Sequence, residues 1–179
     1  MRKDMKMLVF SDSHRQAYEM LKVSKQLSKQ VSVAVHLGDG WNDMEEVILK
    51  HPHFAVHRVC GNCDDLQGPR VKVFSVEGKR FLATHGHMQH VKSGLLRLAC
   101  LAEENEADVC LFGHTHRPVM INYGKIILMN PGSISLPTSG FPPSYGIISI
   151  SENGFVTPSI VGKTIEGYRP LDAWQVSDI

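Results

Sequence analysis

The sequence lacks a long apolar run, and no stretch approaches the roughly 20 residues that a transmembrane helix needs. The chain starts with Met1-Arg2-Lys3-Asp4 and continues into a strand-like run, where a signal peptide would have its longer apolar core. We therefore expect a cytoplasmic protein with no membrane partner.

An excess of charge of either sign is also missing. The 19 Lys and Arg side chains are balanced by 18 Asp and Glu side chains, which leaves a net charge of +1. Nucleic-acid-binding domains show a basic patch or stripe, so the composition carries no strong nucleic-acid signal. Any anionic ligand must be held by a local site. The length of 179 residues is that of one domain, and we expect a single domain over residues 1–179.

Cysteine is sparse, with four residues at positions 60, 63, 100 and 110 and no regular spacing. A cytoplasmic chain keeps such residues as thiols. Cys60 and Cys63 form a C-x-x-C pair, which leaves a redox or structural-zinc site open. The pattern lacks the companion features of such sites, which are a helix after the second cysteine or a second ligand pair.

Short apolar runs alternate with amphipathic segments in the first third of the chain. Apolar runs predict buried strands at 7–10, 31–37 and 54–60, and apolar periodicity predicts helices at 16–29 and 42–50. This β-α-β-α-β order implies parallel strands joined by crossover helices.

The pattern changes after residue 70, where hairpin-length connections replace the helices. One further helix is predicted over 91–106, and strands are predicted at 71–76, 80–84, 108–112, 119–122, 126–129, 146–150 and 155–161. We predict an α/β fold in the form of a four-layer α/β/β/α sandwich, with two facing mixed sheets flanked by helices. The tail at 164–179 is expected to pack on the domain or on a second subunit, which leaves a homo-oligomer open.

Side chains of the metal-binding type follow five of the predicted strands. In open α/β sheets ligands bind beyond the carboxyl ends of strands, so we expect these side chains to meet. Carboxylates, an amide and imidazoles without thiolates suit divalent Mn, Fe, Zn or Ni. The five blocks are Asp12-Ser13-His14, Gly38-Asp39, Gly61-Asn62-Cys63-Asp64, Thr84-His85-Gly86-His87 and Gly113-His114-Thr115-His116.

These blocks, together with Asn130-Pro131-Gly132-Ser133, resemble the calcineurin-like metallophosphoesterases and most closely their small phosphodiesterases of the YfcE type. The resemblance covers residues 7 to about 150. It implies two divalent metal ions, with manganese as the first choice and iron, zinc or nickel as alternatives. It further implies that Asp39 bridges both ions, that one ion is also held by Asp12, His14 and His116, and that the other is also held by Asn62, His85 and His114.

The charge of such a centre favours an anionic substrate. Two divalent ions and the carboxylates of Asp12 and Asp39 leave about +2 at the site. Two metals about 3.5–4 Å apart lower the pKa of a shared water and hold the attacking and leaving oxygens of an in-line displacement. We therefore predict a binuclear phosphodiesterase in which a metal-bridging hydroxide attacks the phosphorus of a small phosphoester.

Further roles are expected for residues beside the ligands. Asn62, Cys63, Asp64 and His87 are predicted to contribute to catalysis, and Arg15 and Asn62 to bind substrate. Cys63 stands where larger members of the family have a histidine that assists the leaving group, which puts acid catalysis by this position in question. Asp64 and His87 either orient a ligand, contact the substrate or are loop residues, and Arg15 either contacts a phosphate or is solvated.

Two other functions compete with this one. The retromer complex contains a subunit of this fold that serves mainly as a protein-interaction surface, so a catalytically weak scaffold is the alternative. A metal-dependent amidohydrolase would fit the histidine pairs, but its barrel needs about 250 residues and this chain is too short.

Overall fold

The computed structural model describes residues 4–65 and 68–171. The described residues form three helices and eleven strands, which are β1 Met5–Phe10, α1 Tyr18–Leu27, β2 Val33–His36, α2 Asp43–Lys50, β3 Ala55–Arg58, β4 Val71–Val76, β5 Lys79–Thr84, α3 Leu96–Glu104, β6 Val109–Leu111, β7 Pro118–Tyr123, β8 Ile126–Pro131, β9 Ser144–Ile150, β10 Val156–Thr164 and β11 Gly167–Pro170.

The strands form two mixed sheets. The first has six strands in the order β11-β10-β9-β1-β2-β3, and the second has five in the order β4-β5-β6-β8-β7. Strands β1, β2 and β3 are parallel to one another, as the crossover helices require, whereas β9 runs antiparallel to β1. In the second sheet β5, β6 and β8 are parallel, and β4 and β7 are antiparallel edge strands.

The molecule has four layers, which are helices, sheet, sheet and helix, and an apolar cluster lies between each pair of neighbouring layers. Side chains of a strand alternate between its two faces, and in β1 Met7 and Val9 join the cluster between the sheets while Leu8 and Phe10 join an outer one. That outer cluster receives side chains of α1 and α2, and a third cluster packs α3 on the second sheet. The predicted α/β/β/α sandwich is confirmed.

The helix predicted over 91–106 is shorter than expected. Helix α3 begins at Leu96, and residues 91–95 lie in turns and bends before it. Gly94 has a φ of 137°, which an α-helix cannot contain. Leu98, Ala99 and Ala102 form the buried apolar face of the helix.

Strand β11 was not predicted. Residues 167–170 pair antiparallel with β10, and Tyr168 Oη donates a hydrogen bond of 2.8 Å to Glu19 on α1. The first part of the predicted tail therefore packs on the first sheet, and the part from residue 172 onward lies outside the described residues. In the described chain, no helix combines the length and apolar character that crossing a membrane would require.

Candidate metal centre

The five predicted blocks meet where strands of both sheets end. Asp12, Asp39 and Asn62 follow β1, β2 and β3 of the first sheet, and His85 and His114 follow β5 and β6 of the second. A hydrogen bond of 2.8 Å from His85 Nδ1 to the Leu37 carbonyl oxygen links the two sheets at this point. The predicted convergence of the strand ends is therefore present in the structure.

The loops at these strand ends contain a cluster of left-handed backbone conformations. A non-glycine residue with positive φ costs of order 1–3 kcal/mol, and such residues cluster at functional sites. The residues and their φ values are Asp12 (54°), His14 (47°), Arg15 (66°), Asp39 (55°), His114 (68°) and His116 (55°).

Glycine is required where these loops touch. A Cβ atom on Gly61 would lie 2.0 Å from Asp39 Oδ1, and one on Gly113 would lie 2.0 Å from Ser11 Oγ. Both separations are far inside van der Waals contact. The absence of these side chains lets the carboxylates of Asp12 and Asp39 sit close to neighbouring backbone.

The two oxygens of Asp12 have different surroundings. Oδ2 accepts hydrogen bonds from Ser11 Oγ at 2.5 Å and from the His114 N–H at 3.1 Å. Oδ1 is 3.1 Å from His116 Nε2 and 3.9 Å from His85 Nε2. It is buried and has no hydrogen-bond partner among the described residues. One oxygen is anchored by the protein and the other faces the imidazoles.

Asp39 is divided in the same way. Oδ1 accepts a hydrogen bond of 2.7 Å from the Cys63 N–H, while Oδ2 lies 3.4 Å from His85 Nε2 and 3.9 Å from His14 Nε2. Burial by itself would raise the pKa of Asp39, but the contacts with His85 and Cys63 outweigh it and lower the pKa. Asp39 is therefore held as a carboxylate with one oxygen between two imidazoles.

Two of the imidazoles have their tautomer set by backbone carbonyl groups, which can only accept. His85 Nδ1 faces the Leu37 oxygen at 2.8 Å, and His116 Nδ1 faces the Leu136 oxygen at 2.5 Å. In the neutral ring Nδ1 then carries the proton and Nε2 presents a lone pair. This arrangement is typical of metal-ligating histidines, whose second nitrogen donates to the protein.

The side chains at the strand ends form two groups of atoms that could each hold a metal ion. Asp12, His14 and His116 form one group, and Asp12, Asp39 and His85 form another, with the ligand atoms of each group within 4.8 Å of one another. His14 Nε2 is 3.2 Å from His116 Nε2. Burial alone would lower the pKa of His85, yet the carboxylates of Asp39 and Asp12 raise it. The buried Asp12 Oδ1 and the ring nitrogens that face it fit divalent metal ions.

Asn62 and His114 lie beside these groups. Asn62 Oδ1 is 3.1 Å from His85 Nε2, so the amide oxygen lies beside the second group. The ring centroid of His114 is 5.0 Å from that of His85, but the ring belongs to none of the ligand groups that the described residues form. The ligand role predicted for His114 therefore stays a prediction.

The carboxylate of Asp64 accepts hydrogen bonds from the backbone of two loops. Oδ2 accepts from the N–H groups of Asp39 and Gly61 at 2.7 and 2.8 Å, and Oδ1 accepts from those of Gly40 and Trp41 at 2.9 and 3.0 Å. Of the roles left open for Asp64, this geometry favours orientation of Asp39, the predicted ligand.

Arg15 and Cys63 line a cavity of about 290 Å³ beside His14 and Asp39. The position of Arg15 allows the phosphate contact that was predicted. Burial, followed by contact with Asp39, raises the pKa of the Cys63 thiol to about 11. With no ion bound to its sulfur, the thiol therefore stays protonated near neutral pH and is a poor acid.

On the other side of the centre, His87 is held by an arginine that no sequence motif identified. Arg70 Nη1 donates to His87 Nε2 at 2.7 Å, and the ring centroid of His87 is 5.3 Å from that of His85. His87 Nδ1 is buried without a hydrogen-bond partner among the described residues. The Arg70 guanidinium is therefore separated from the candidate ligand His85 only by the imidazole of His87.

A second missed element is a hydrogen-bond chain beneath the Asp12–His14 turn. His36 Nδ1 accepts from the Gly38 N–H at 3.2 Å, so Nε2 is the protonated nitrogen and faces Ser13 Oγ at 3.0 Å. Ser13 Oγ in turn donates to Asp43 Oδ2 at 2.5 Å. Buried His36 is thus a structural residue. Its partners are far apart along the chain, so no local motif could identify them.

Comparison with known proteins agrees with this site and fold. The profile of the calcineurin-like phosphoesterase superfamily domain matches residues 5–153. The chain therefore belongs to the calcineurin-like phosphoesterase superfamily, a metal-dependent family, and the resemblance inferred from its sequence motifs is confirmed.

Individual relatives lie within the same family. The chain is 34% identical over 152 residues to the probable metallophosphoesterase YsnB of Bacillus subtilis, covering 83% of this chain and 86% of YsnB. It is 37% identical over 99 residues to the Escherichia coli phosphodiesterase YfcE, covering 50% of each chain. The Vps29 protein of Entamoeba histolytica, solved in complex with Zn²⁺, shares the fold with a TM-score of 0.77 at 20% identity, covering 93% of this chain and 97% of Vps29.

Proposed function

We propose that the protein is a binuclear metal-dependent phosphodiesterase acting on a small phosphoester. The observation that carries the proposal is the convergence of lone pairs from Asp12, His14, Asp39, His85 and His116, with a buried carboxylate oxygen of Asp12 that has no hydrogen-bond partner among the described residues. Membership of a phosphoesterase superfamily and the similarity to a phosphodiesterase support it.

In this proposal one set of residues binds the metal ions and another residue binds the substrate. Asp12, His14 and His116 would hold one ion, and Asn62, His85 and His114 the other, with Asp39 Oδ2 between them. Two divalent ions would supply charge neutralisation and an activated hydroxide for in-line attack at phosphorus. Arg15 lies in the adjoining cavity, where its guanidinium would bind a non-bridging phosphate oxygen and orient the ester.

The deciding experiment measures metal content and hydrolysis in the same preparation. The purified chain is stripped with a chelator, reloaded with Mn²⁺, and assayed on a chromogenic phosphodiester and on the matching monoester. We expect about two metals per chain, hydrolysis that chelation abolishes and Mn²⁺ restores, and a higher kcat/KM for the diester. Preference for the monoester would remove the phosphodiesterase assignment, and one metal per chain would remove the binuclear one.

A protein-interaction scaffold is the second candidate, favoured by the structural similarity to Vps29 proteins. At 20% identity that similarity concerns the fold alone. The same experiment separates the two candidates, because a scaffold would bind metal without turnover of either ester.

The choice of metal ion rests on ligand chemistry alone. Manganese is our first choice, and iron, zinc and nickel suit the same nitrogen and oxygen donors. We also propose a cytoplasmic enzyme that acts without nucleic acid, and a homo-oligomer stays open. Metal analysis of the protein from its native host would identify the ion.

A further inference from the structure

Cys63 forms a third group of metal-binding atoms at the edge of the centre. Its sulfur lies with a ring nitrogen of His14 and a carboxylate oxygen of Asp39, all within 4.8 Å of one another. Asn62 Nδ2 donates to Cys63 Sγ at 3.3 Å, and the Cys63 N–H binds Asp39 Oδ1 at 2.7 Å. The loop that places Asn62 in the centre thus places the thiol on its open side.

The group differs from the other two in the chemistry of its donor. Thiolates select soft or borderline ions such as zinc, whereas manganese prefers oxygen. Tetrahedral zinc with bonds of about 2.0–2.3 Å separates neighbouring ligand atoms by about 3.5 Å. The Cys63 side chain is exposed, so we expect a rotation about χ1 to bring the sulfur to this separation from the His14 and Asp39 atoms.

A buried carboxylate oxygen next to this group is also placed to bind a cation. The buried Asp12 Oδ1 has no hydrogen-bond partner among the described residues, and it lies 3.9 Å from Nε2 of His14, a member of the Cys63 group. An ion bound between Asp12, His14 and Asp39 would therefore have the Cys63 sulfur on its solvent side.

We propose that Cys63 is a metal-selective ligand, whose thiolate binds a thiophilic ion such as Zn²⁺ or Co²⁺ on the His14–Asp39 side and leaves that position to water when the ion is Mn²⁺. As the metal–sulfur bond forms, the thiol proton passes to solvent. A zinc-loaded centre then has one exchangeable position fewer for a phosphoester. This inference rests on the proposed function, since it requires a divalent ion in the centre.

Cobalt(II) is the probe, because it substitutes for zinc and reports sulfur ligation by a thiolate-to-metal charge-transfer band in the near ultraviolet. The full-length apo chain is titrated with Co²⁺ as wild type, as Cys63→Ser and as Cys100→Ser, which removes the other exposed thiol. We expect the charge-transfer band in the wild type and in Cys100→Ser but not in Cys63→Ser. The visible d–d bands should show bound cobalt in all three.

Affinity gives a second readout that needs no turnover. Cys63→Ser should lower the Zn²⁺ affinity by at least the about 10-fold that loss of even an outer-shell partner costs. The Mn²⁺ affinity should change less than about 3-fold, because sulfur is not a ligand of manganese here. The ratio of the two affinities therefore reports the selectivity of Cys63.

The alternative results would each overturn the inference. Cobalt d–d bands without a charge-transfer band in the wild type would exclude sulfur ligation, and a band that persists in Cys63→Ser would assign it to another thiol. Failure of the wild type to bind cobalt would also exclude it. Mn²⁺-dependent hydrolysis measured in parallel judges the proposed function separately, because the enzyme remains intact if turnover persists in any of these cases.

Discussion

The bridging role proposed for Asp39 depends on the separate positions of its two oxygens. Oδ1 is occupied by the Cys63 N–H, and only Oδ2 faces His85 and His14. The same division is present in Asp12, whose Oδ2 is held by Ser11 and the His114 N–H. Each carboxylate is therefore oriented by the protein before an ion binds, which lowers the entropic cost of assembling the centre.

The change Asp39→Asn tests this orientation. The Cys63 N–H would retain the amide oxygen of the introduced side chain, so its NH₂ group would face the imidazoles where a cation needs a lone pair. We expect the bound metal to fall below two ions per chain and turnover to fall more than about 100-fold, beyond the loss that outer-shell changes cause. Metal analysis, diester kinetics and circular dichroism measure metal content, turnover and the integrity of the fold.

The matched control is Asp4→Asn, which removes the same charge from an exposed residue before β1, at the far end of the strand from the centre. It should retain both metals and wild-type turnover. Two ions and full turnover in Asp39→Asn would exclude a bridging carboxylate at this position.

Cys63 gives a prediction about the leaving group. With a pKa of about 11, caused by burial and by Asp39, its thiol is a poor proton donor near neutral pH. A general acid works best with a pKa near the working pH and contributes about 10²–10⁴-fold. In the Mn²⁺ form, Cys63→His should raise kcat/KM for an alkyl phosphodiester more than for an aryl phosphodiester, whose leaving group needs little protonation.

The measurement is the ratio of these two kcat/KM values at matched metal occupancy. Cys63→Ala is the control, because it removes the thiol without adding an imidazole and should leave the ratio as in the wild type. An unchanged ratio in a fully metallated Cys63→His variant would mean that position 63 takes no part in protonating the leaving group. His87, held by Arg70, would then be the next candidate.

The loops after β2 and β3 act as one unit because Asp64 ties them together. Its two oxygens accept four backbone N–H groups, two of them from Gly40 and Trp41 and two from Asp39 and Gly61. An asparagine would turn an NH₂ group toward one of these pairs and leave donors without acceptors. Asp64 should therefore influence both the stability of the loops and the position of Asp39.

We expect Asp64→Asn to lower the free energy of unfolding by about 1–3 kcal/mol, the cost of unpaired polar groups, and to weaken metal binding. Urea denaturation of the apo protein and metal titration measure the two effects. Asp65→Asn, at the exposed neighbouring position, should change the unfolding free energy by less than about 0.5 kcal/mol. Equal stability of both variants would contradict the role of Asp64.

Periodicity predicted the regular elements well where burial is one-sided. Helices α1 and α2 and the hairpin of β4 and β5 were predicted, and the hairpin turn has positive φ at Glu77 and Gly78. The start of α3 was placed too early because apolar spacing does not report the backbone of Gly94. Strand β11 was missed because Gly-Tyr-Arg-Pro has no apolar alternation, and its hydrogen bonds depend on β10.

The site, like the fold, was predictable only where its residues lie close together in the sequence. The strand-end blocks were visible because each occupies a few consecutive residues, and topology brings such ends together. Arg70 and the chain from His36 through Ser13 to Asp43 were not, because those contacts join residues that are distant in sequence. The extent of the domain over residues 1–179 stays a prediction.

The two sheets are joined at one edge by an aromatic contact. His57 on β3 stacks on Phe74 of β4 with ring centroids 3.8 Å apart, and β3 and β4 are edge strands of different sheets. His57 Nδ1 is buried and has no hydrogen-bond partner among the described residues. Burial, together with nearby Lys72, lowers the pKa of His57 to about 4. The packing of one sheet on the other therefore uses the neutral ring.

This contact predicts that acid weakens the whole molecule through His57. Below about pH 6.5 the unfolded chain binds a proton that the folded chain takes up only near pH 4. The free energy of unfolding should therefore fall as the pH drops from about 6.5 to about 4, by up to about 1.4 kcal/mol per pH unit. Because the ring is partly exposed, the measured slope should be smaller.

His57→Phe keeps a stacking ring and cannot titrate, so the stability of the wild type relative to this variant should decline over the same interval. Urea denaturation of both apo proteins at several pH values gives the difference, in which the other titrating groups cancel. Parallel pH profiles for the two proteins would show that His57 is not kept neutral by the packing of the sheets.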